Sequence, residues 1–130
     1  MTDFYYVCKL NKSIYSVITN NITTDEVIIT QKQIQHIKDR HPEDYDFFAK
    51  YGAITIEKPD YILEANKPLS AMILKEIEEN GKKLKLILRL KTSTDPIDFK
   101  NSVITFQVID EKRFNRYIKN GKILYNAKKL

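Results

Sequence analysis

The chain has 130 residues, 42% of them apolar and 30% charged, with a net charge of +5. That length suits one domain, 1–130, with a core that needs no staples, and that composition excludes a disordered chain. The lone cysteine, Cys8, excludes an internal disulfide, and no apolar run approaches the roughly 18 residues of a membrane span.

The first residues also lack the basic and apolar regions of a signal peptide. A cytoplasmic protein without membrane contact is expected. Charge is unevenly spread. Residues 1–65 carry 7 Lys/Arg and 10 Asp/Glu, whereas residues 66–130 carry 15 and 7. A basic half with interleaved tyrosine and phenylalanine suits a polyanion, most simply nucleic acid, although solvated surface lysines give the same composition.

In chain order, D-F-Y-Y-V-C-K-L from Asp3 reads as a strand and S-I-Y-S-V-I-T from Ser13 as a second. Together they predict an added N-terminal hairpin within 1–26. Cys8 reads as a small buried residue. E-V-I-I-T is a short strand or an extended lead-in. Thr30 and Gln33 have capping-box spacing, which predicts a helix from Gln31 to Arg40 or His41. Pro42 ends that helix and opens a second one, P-E-D-Y-D-F-F-A-K-Y, with Gly52 just past its end. A-I-T-I-E-K is ambiguous, a further helical turn being one reading, and Pro59 breaks it. D-Y-I-L-E-A, P-L-S-A-M-I-L-K-E-I, L-K-L-I-L-R-L-K and S-V-I-T-F-Q-V-I read as strands, with Asn80-Gly81 as a hairpin signal. D-E-K-R-F-N-R-Y-I-K-N-G is a short helix capped by Asp110, and K-I-L-Y-N is a last strand. The expected fold is α+β: an N-terminal hairpin and two helices packed on a four- to five-stranded antiparallel sheet.

Strand alternation sorts the polar residues by face. Lys85, Ile87, Arg89 and Lys91 oppose Leu84, Leu86, Leu88 and Leu90. Thr105 and Gln107 oppose Ile104, Phe106 and Val108. One concave polar face could carry Arg89, Thr105, Lys75 and Tyr125. Ser102 falls on the apolar side by parity unless a bulge intervenes. An ordinary solvated face explains the same alternation.

Both histidines lie in T-Q-K-Q-I-Q-H-I-K-D-R-H-P, Thr30–Pro42. On a helix, His36 and His41 stand about 140° apart, which is wrong for the i, i+4 spacing of helical zinc ligands. No second thiol is present, so neither a metal site nor a cofactor is expected. His36 and Arg40 are at i, i+4 and share a face, while Ile34, Ile37 and His41 form a second stripe expected to face the core. Histidine with arginine suits phosphodiester chemistry: the imidazole moves the proton of a ribose 2′-hydroxyl or leaving oxygen, and the guanidinium holds the phosphate. Packing or capping histidines account for the same residue types.

The stretches I-I-T-Q-K-Q-I-Q-H-I-K-D-R-H-P, K-P-D-Y-I, L-I-L-R-L, K-N-S-V-I-T-F and K-I-L-Y resemble the phage-associated branch of the barnase/EndoU/colicin/RelE-like nucleases. The resemblance covers most of the chain from about Val27 and implies a metal-independent endoribonuclease that leaves a 2′,3′-cyclic phosphate. It implies a cleft between the first helical region and the concave sheet face. His36 or His41 would be the acid or base, Arg40 and Arg89 would hold the phosphate, Thr105 would hydrogen-bond it, and Tyr125 would position it or stack on a base. Lys75, Lys85, Lys91, Ser102 and Gln107 are expected to contact nucleic acid. A role as toxin or phage-delivered effector, with RNA as partner and a cognate protein inhibitor, goes with that resemblance. The alternatives are a nucleic-acid-binding domain without catalysis, with structural histidines, and a phage accessory or interaction protein.

Overall fold

A computed structural model describes residues 3–128. The chain runs β1 (Phe4–Lys9), α1 (Lys12–Tyr15), β2 (Glu26–Thr30), α2 (Gln31–Arg40), α3 (Pro42–Glu57), β3 (Tyr61–Glu64), β4 (Ser70–Glu76), β5 (Lys83–Arg89), β6 (Asn101–Ile109), α4 (Glu111–Asn120) and β7 (Ile123–Asn126). The seven strands form one sheet in the order β1-β2-β6-β5-β4-β3-β7. The β2–β6 pairing is parallel and the rest are antiparallel, so the sheet is mixed. The fold is α+β as expected, but the described residues form four helices and seven strands rather than two helices and four or five antiparallel strands.

The N-terminal hairpin is not formed. Asn11 accepts hydrogen bonds from the Ser13 and Ile14 backbone N–H groups at 3.0 and 3.4 Å. This cap turns K-S-I-Y into α1 instead of a strand. Tyr15 is fully buried there, and its hydroxyl donates to the Ile56 carbonyl at 2.8 Å. β1 therefore pairs with β2, the next available strand. Cys8 is buried on it, and that burial, with Glu57 nearby, pushes its thiol up to about 12.

α2 begins as its cap predicts: the Thr30 hydroxyl accepts from the Gln33 N–H at 3.1 Å. α3 corrects the expected end at Gly52. It continues to Glu57 and stops before Pro59. Gly52 sits inside the helix because a Cβ there would lie 2.7 Å from the Phe48 ring. α4 has the predicted Asp110 cap, with the carboxylate accepting from the Arg113 N–H at 2.7 Å.

Two apolar clusters fix the layers. Leu84, Leu86, Leu88, Leu90, Val103 and Phe106 meet Ile34 and Ile37 of α2 and Phe48, Tyr51 and Ile56 of α3 on one face. Leu63, Leu74 and Ile109 meet Phe114 of α4 on the other. α4 covers only part of that second face, and the rest of it holds the polar residues.

β2 pairs with β6 only at Val27↔Asn101 and Ile28↔Ser102. Beyond Ser102 the edge of β6 would be left open, and the α2–α3 corner covers it. Asp44, buried in the first turn of α3, faces the Val108 backbone N–H on that edge. An edge covered in this way cannot recruit a further strand.

Candidate nucleic-acid-processing site

The site is built around β6. Its pairing with β5 slips by one residue between Ile87 and Leu88, so Ile104 is the extra residue of a bulge. The bulge resets the faces. Ser102 lies opposite Arg89, Thr105 opposite Ile87, and Gln107 opposite Lys85. These residues share one face, and Ser102 joins Arg89 because the bulge intervenes. The same bulge turns Ile104 outward instead of placing it with Phe106 and Val108.

α2 forms the wall beside this strand. An open groove of about 700 Å³ is lined by Gln31, Lys32, Gln35, His36 and Asp39 of α2 and by Ile104 and Thr105 of β6. Next to it, a small cleft brings His36, Arg40, His41, Asp44, Thr105 and Gln107 together. His36, Arg40 and Thr105 thus line one cleft. Among the described residues Arg40 has no ion-pair partner. Among the described residues the Gln107 Oε1 is a buried side-chain oxygen without a hydrogen-bond partner.

His41 corrects its expected place on the core stripe. Its backbone is extended, with φ −149°, because it precedes Pro42. Its N–H donates to the Ile37 carbonyl at 3.0 Å, and its own carbonyl accepts from the Asp44 N–H at 2.9 Å, so the backbone is a joint between the helices. The imidazole is 59% exposed, with Nδ1 3.7 Å from the Glu43 carboxylate. Only Ile34 and Ile37 of that stripe enter the core.

Arg89 lies on the predicted face but is already engaged. Its guanidinium makes a two-pronged pair with Asp95 at 2.9 and 3.0 Å and donates to the Leu90 carbonyl. Asp95 also accepts the Thr92 N–H at 2.8 Å, tying the 92–95 turn to the sheet. The hydrogen bond from Arg89, then that from Thr92, holds the Asp95 carboxyl below its ordinary value.

Two residues fall away from the site. Lys75 pairs with Leu84, which puts it on the α2/α3 face, where it donates to the Lys58 carbonyl at 2.6 Å and faces Asp60 at 3.6 Å. Tyr125 sits opposite Ile62 on β7, also on the α2/α3 face. It is four strands from β6, or about 19 Å at ordinary strand spacing. Strand parity read one β-strand at a time gives no relation between strands that sit at opposite ends of the sheet. Lys91 lies past the end of β5 and is mostly buried, with its N–H donating to the Asn101 side chain at 2.8 Å.

Lys85 leads to a cluster that the sequence reading did not single out. Its ammonium donates to the Tyr117 hydroxyl at 3.1 Å, and Arg113 donates to the same oxygen at 3.1 Å. Burial raises the phenol's pKa, but the hydrogen bonds and charges of Lys85 and Arg113 outweigh it and leave it below the ordinary value. The i, i+4 spacing of Arg113 and Tyr117 on α4 was the available signal. The contribution of β5 was not legible from α4 alone. Asn101 was also missed as a structural clamp: its side chain accepts from Lys91 and donates to the Thr24 and Glu26 carbonyls at 2.8 and 3.0 Å.

Among the described residues no three His, Cys, Asp or Glu side chains gather as a metal-binding group, and no helix is long and apolar enough to cross a membrane. A helix bearing histidine and arginine, set beside the polar face of a mixed sheet, is an architecture suited to phosphodiester cleavage. The chain belongs to the phage-Barnase-EndoU-ColicinE5/D-RelE like nuclease2 family, whose model matches residues 8–126. Membership identifies a nuclease-type domain and implies a nucleic acid substrate. No curated protein and no solved structure gives a significant match.

Proposed function

We propose that the protein is an endoribonuclease that needs no metal and cleaves RNA by attack of a ribose 2′-hydroxyl. The observation that carries this reading is that His36 and Thr105 line the open groove of about 700 Å³, with Arg40 beside them at the small cleft that adjoins it. His36 takes the 2′-hydroxyl proton as O2′ bonds to phosphorus. The bond from phosphorus to O5′ breaks, and O5′ receives a proton from a protonated imidazole, for which His41 at the rim of the same cleft is available. Arg40 lies over the scissile phosphate and offsets the charge that grows on its oxygens. Thr105 donates its hydroxyl to a phosphate oxygen.

Arg89 keeps the sheet face in register rather than offering a free fork, since Asp95 occupies and neutralises it. Lys85 and Arg113, beside Tyr117, supply positive potential along the sheet. The domain acts as a toxin or phage-associated effector, which accounts for a small basic nuclease in this family.

The test is cleavage of end-labelled transfer or ribosomal RNA in EDTA, with the ends analysed for 2′,3′-cyclic phosphate. Cyclic ends that vanish in His36→Ala support the mechanism. Cleavage that requires a divalent ion refutes metal independence, and salt-dependent binding without cleavage refutes the enzyme reading in favour of a binding domain.

A further inference from the structure

Resting on the nuclease reading, we propose that a second cavity on the same sheet face is a nucleobase subsite, formed by Phe4 and Phe99 beside the cleavage groove. This cavity has a volume of about 450 Å³ and is lined by Phe4, Ile28, Thr30, Asp98, Phe99, Lys100 and Ser102. Phe4 is 49% exposed and Phe99 53% exposed. Large aromatic rings left half in water cost apolar burial, and at the margin of a polynucleotide site they offer faces on which any base can stack.

Three observations select a base as the occupant rather than a phosphate. Phe4, Ile28 and Phe99 give it apolar walls beside its polar groups. The ammonium of Lys100 is held by Glu26 at 2.9 Å, so it is not a free phosphate anchor. The polar groups at the rim are of the kind that read a base edge: the Thr30 and Ser102 hydroxyls, and an Asp98 carboxylate able to accept from an exocyclic amino group.

Position ties the cavity to the cleavage groove. Ser102 lines the one, and Ile104 and Thr105 line the other, about 7 Å further along β6. Thr30 and Gln31, neighbours in the chain, likewise line one each. Tyr6, Ile28, Ser102 and Arg89 form a single cross-strand row on this face. A strand that runs along β6 from the cleft at Thr105 towards Ser102 passes the mouth of this cavity. Phe4 lies outside the residues matched by the family model, so the aromatic pair is a property of this chain and not of the match.

The experiment is fluorescence anisotropy with a labelled 2′-O-methyl oligocytidylate of about ten nucleotides, a length within the usual span of single-strand sites. The probe binds as RNA but cannot be cut. Phe99→Ala and Phe4→Ala should each weaken binding by about 5- to 150-fold, the range measured for loss of one stacked base, with an unchanged salt slope. Phe99→Tyr should restore it. Unchanged affinity in both alanine variants, while the wild type binds the probe and cleaves RNA, overturns the subsite and leaves the nuclease reading standing. A salt slope that falls with the affinity also overturns it, because the lost contacts are then to phosphate. A wild type that neither binds nor cleaves overturns both.

Discussion

His36 and His41 are five residues apart, yet the structure gives them different work, and their alanine variants should separate cleanly. His36 projects from a regular helix into the groove beside Thr105, whereas His41 is a joint residue at its rim with Glu43 as neighbour. Both side chains are exposed, so neither substitution removes core packing, and stability should change by less than about 0.5 kcal/mol. A positioned acid or base contributes about 10²- to 10⁴-fold, equivalent to about 3–5 kcal/mol of barrier. His36→Ala should therefore lower kcat by about that factor with KM nearly unchanged, since an imidazole that acts in the transition state adds little to substrate binding. His41→Ala should cost less, about tenfold, because water can protonate the leaving oxygen at the open rim. The assay is initial-rate cleavage of a fluorogenic RNA in EDTA, with melting temperatures recorded in parallel. Retention of cleavage within about threefold in His36→Ala would refute the assignment. A loss of about 10³-fold confined to His41→Ala would exchange the roles of the pair.

The remaining predictions concern stability. Asn101→Ala leaves the Lys91 N–H and the Thr24 and Glu26 carbonyls without their partner in a buried knot, and should cost about 2–4 kcal/mol by urea denaturation. Burial raises the Asp44 pKa, with the Val108 N–H, His41 and Arg40 acting against it. A carboxyl that binds its proton more tightly when folded favours the folded state below its folded pKa, and that advantage is lost as the pH rises through it. Asp44→Asn should remove this pH dependence and leave stability at pH 7 unchanged or higher, because an amide carries no charge to be desolvated. Gly52→Ala should lower the melting temperature despite alanine's better helix propensity, since the ring of Phe48 occupies the space of the new methyl. About 1–3 kcal/mol is expected from the overpacking.

Much was legible along the chain. The Thr30 cap, the stop at Pro42, the Asp110 cap and the alternation of L-K-L-I-L-R-L-K are local signals, each set by neighbours within a few residues. They yielded α2, α4, β5 and the face shared by Arg89 and Thr105. They also gave the i, i+4 partnership of His36 and Arg40 that lines the cleft. S-I-Y-S-V-I-T was misread because its β-branched pattern outweighed an asparagine cap whose two hydrogen bonds decide the matter. Gly52 was misread as a helix end because the Phe48 ring that needs its space is a packing fact, not a sequence signal.

Only the tertiary structure decided which strands are neighbours. Strand order places Tyr125 four strands from β6 and puts Lys75 on the wrong face, although period-two alternation had joined both to Arg89. The bulge at Ile104 brings Ser102 to the polar face, a one-residue slip that reverses side-chain direction and leaves no mark in composition. The fork of Arg89 is closed by Asp95 from a turn six residues on, and the Tyr117 hydroxyl is held by Lys85 from a strand 32 residues earlier. The sequence by itself determined the local elements and the residue chemistry of the α2 wall, because helix periodicity and capping act over a turn. Folding determined the opposite wall and which cations remain free to meet a substrate, because those depend on pairings between segments far apart in the chain.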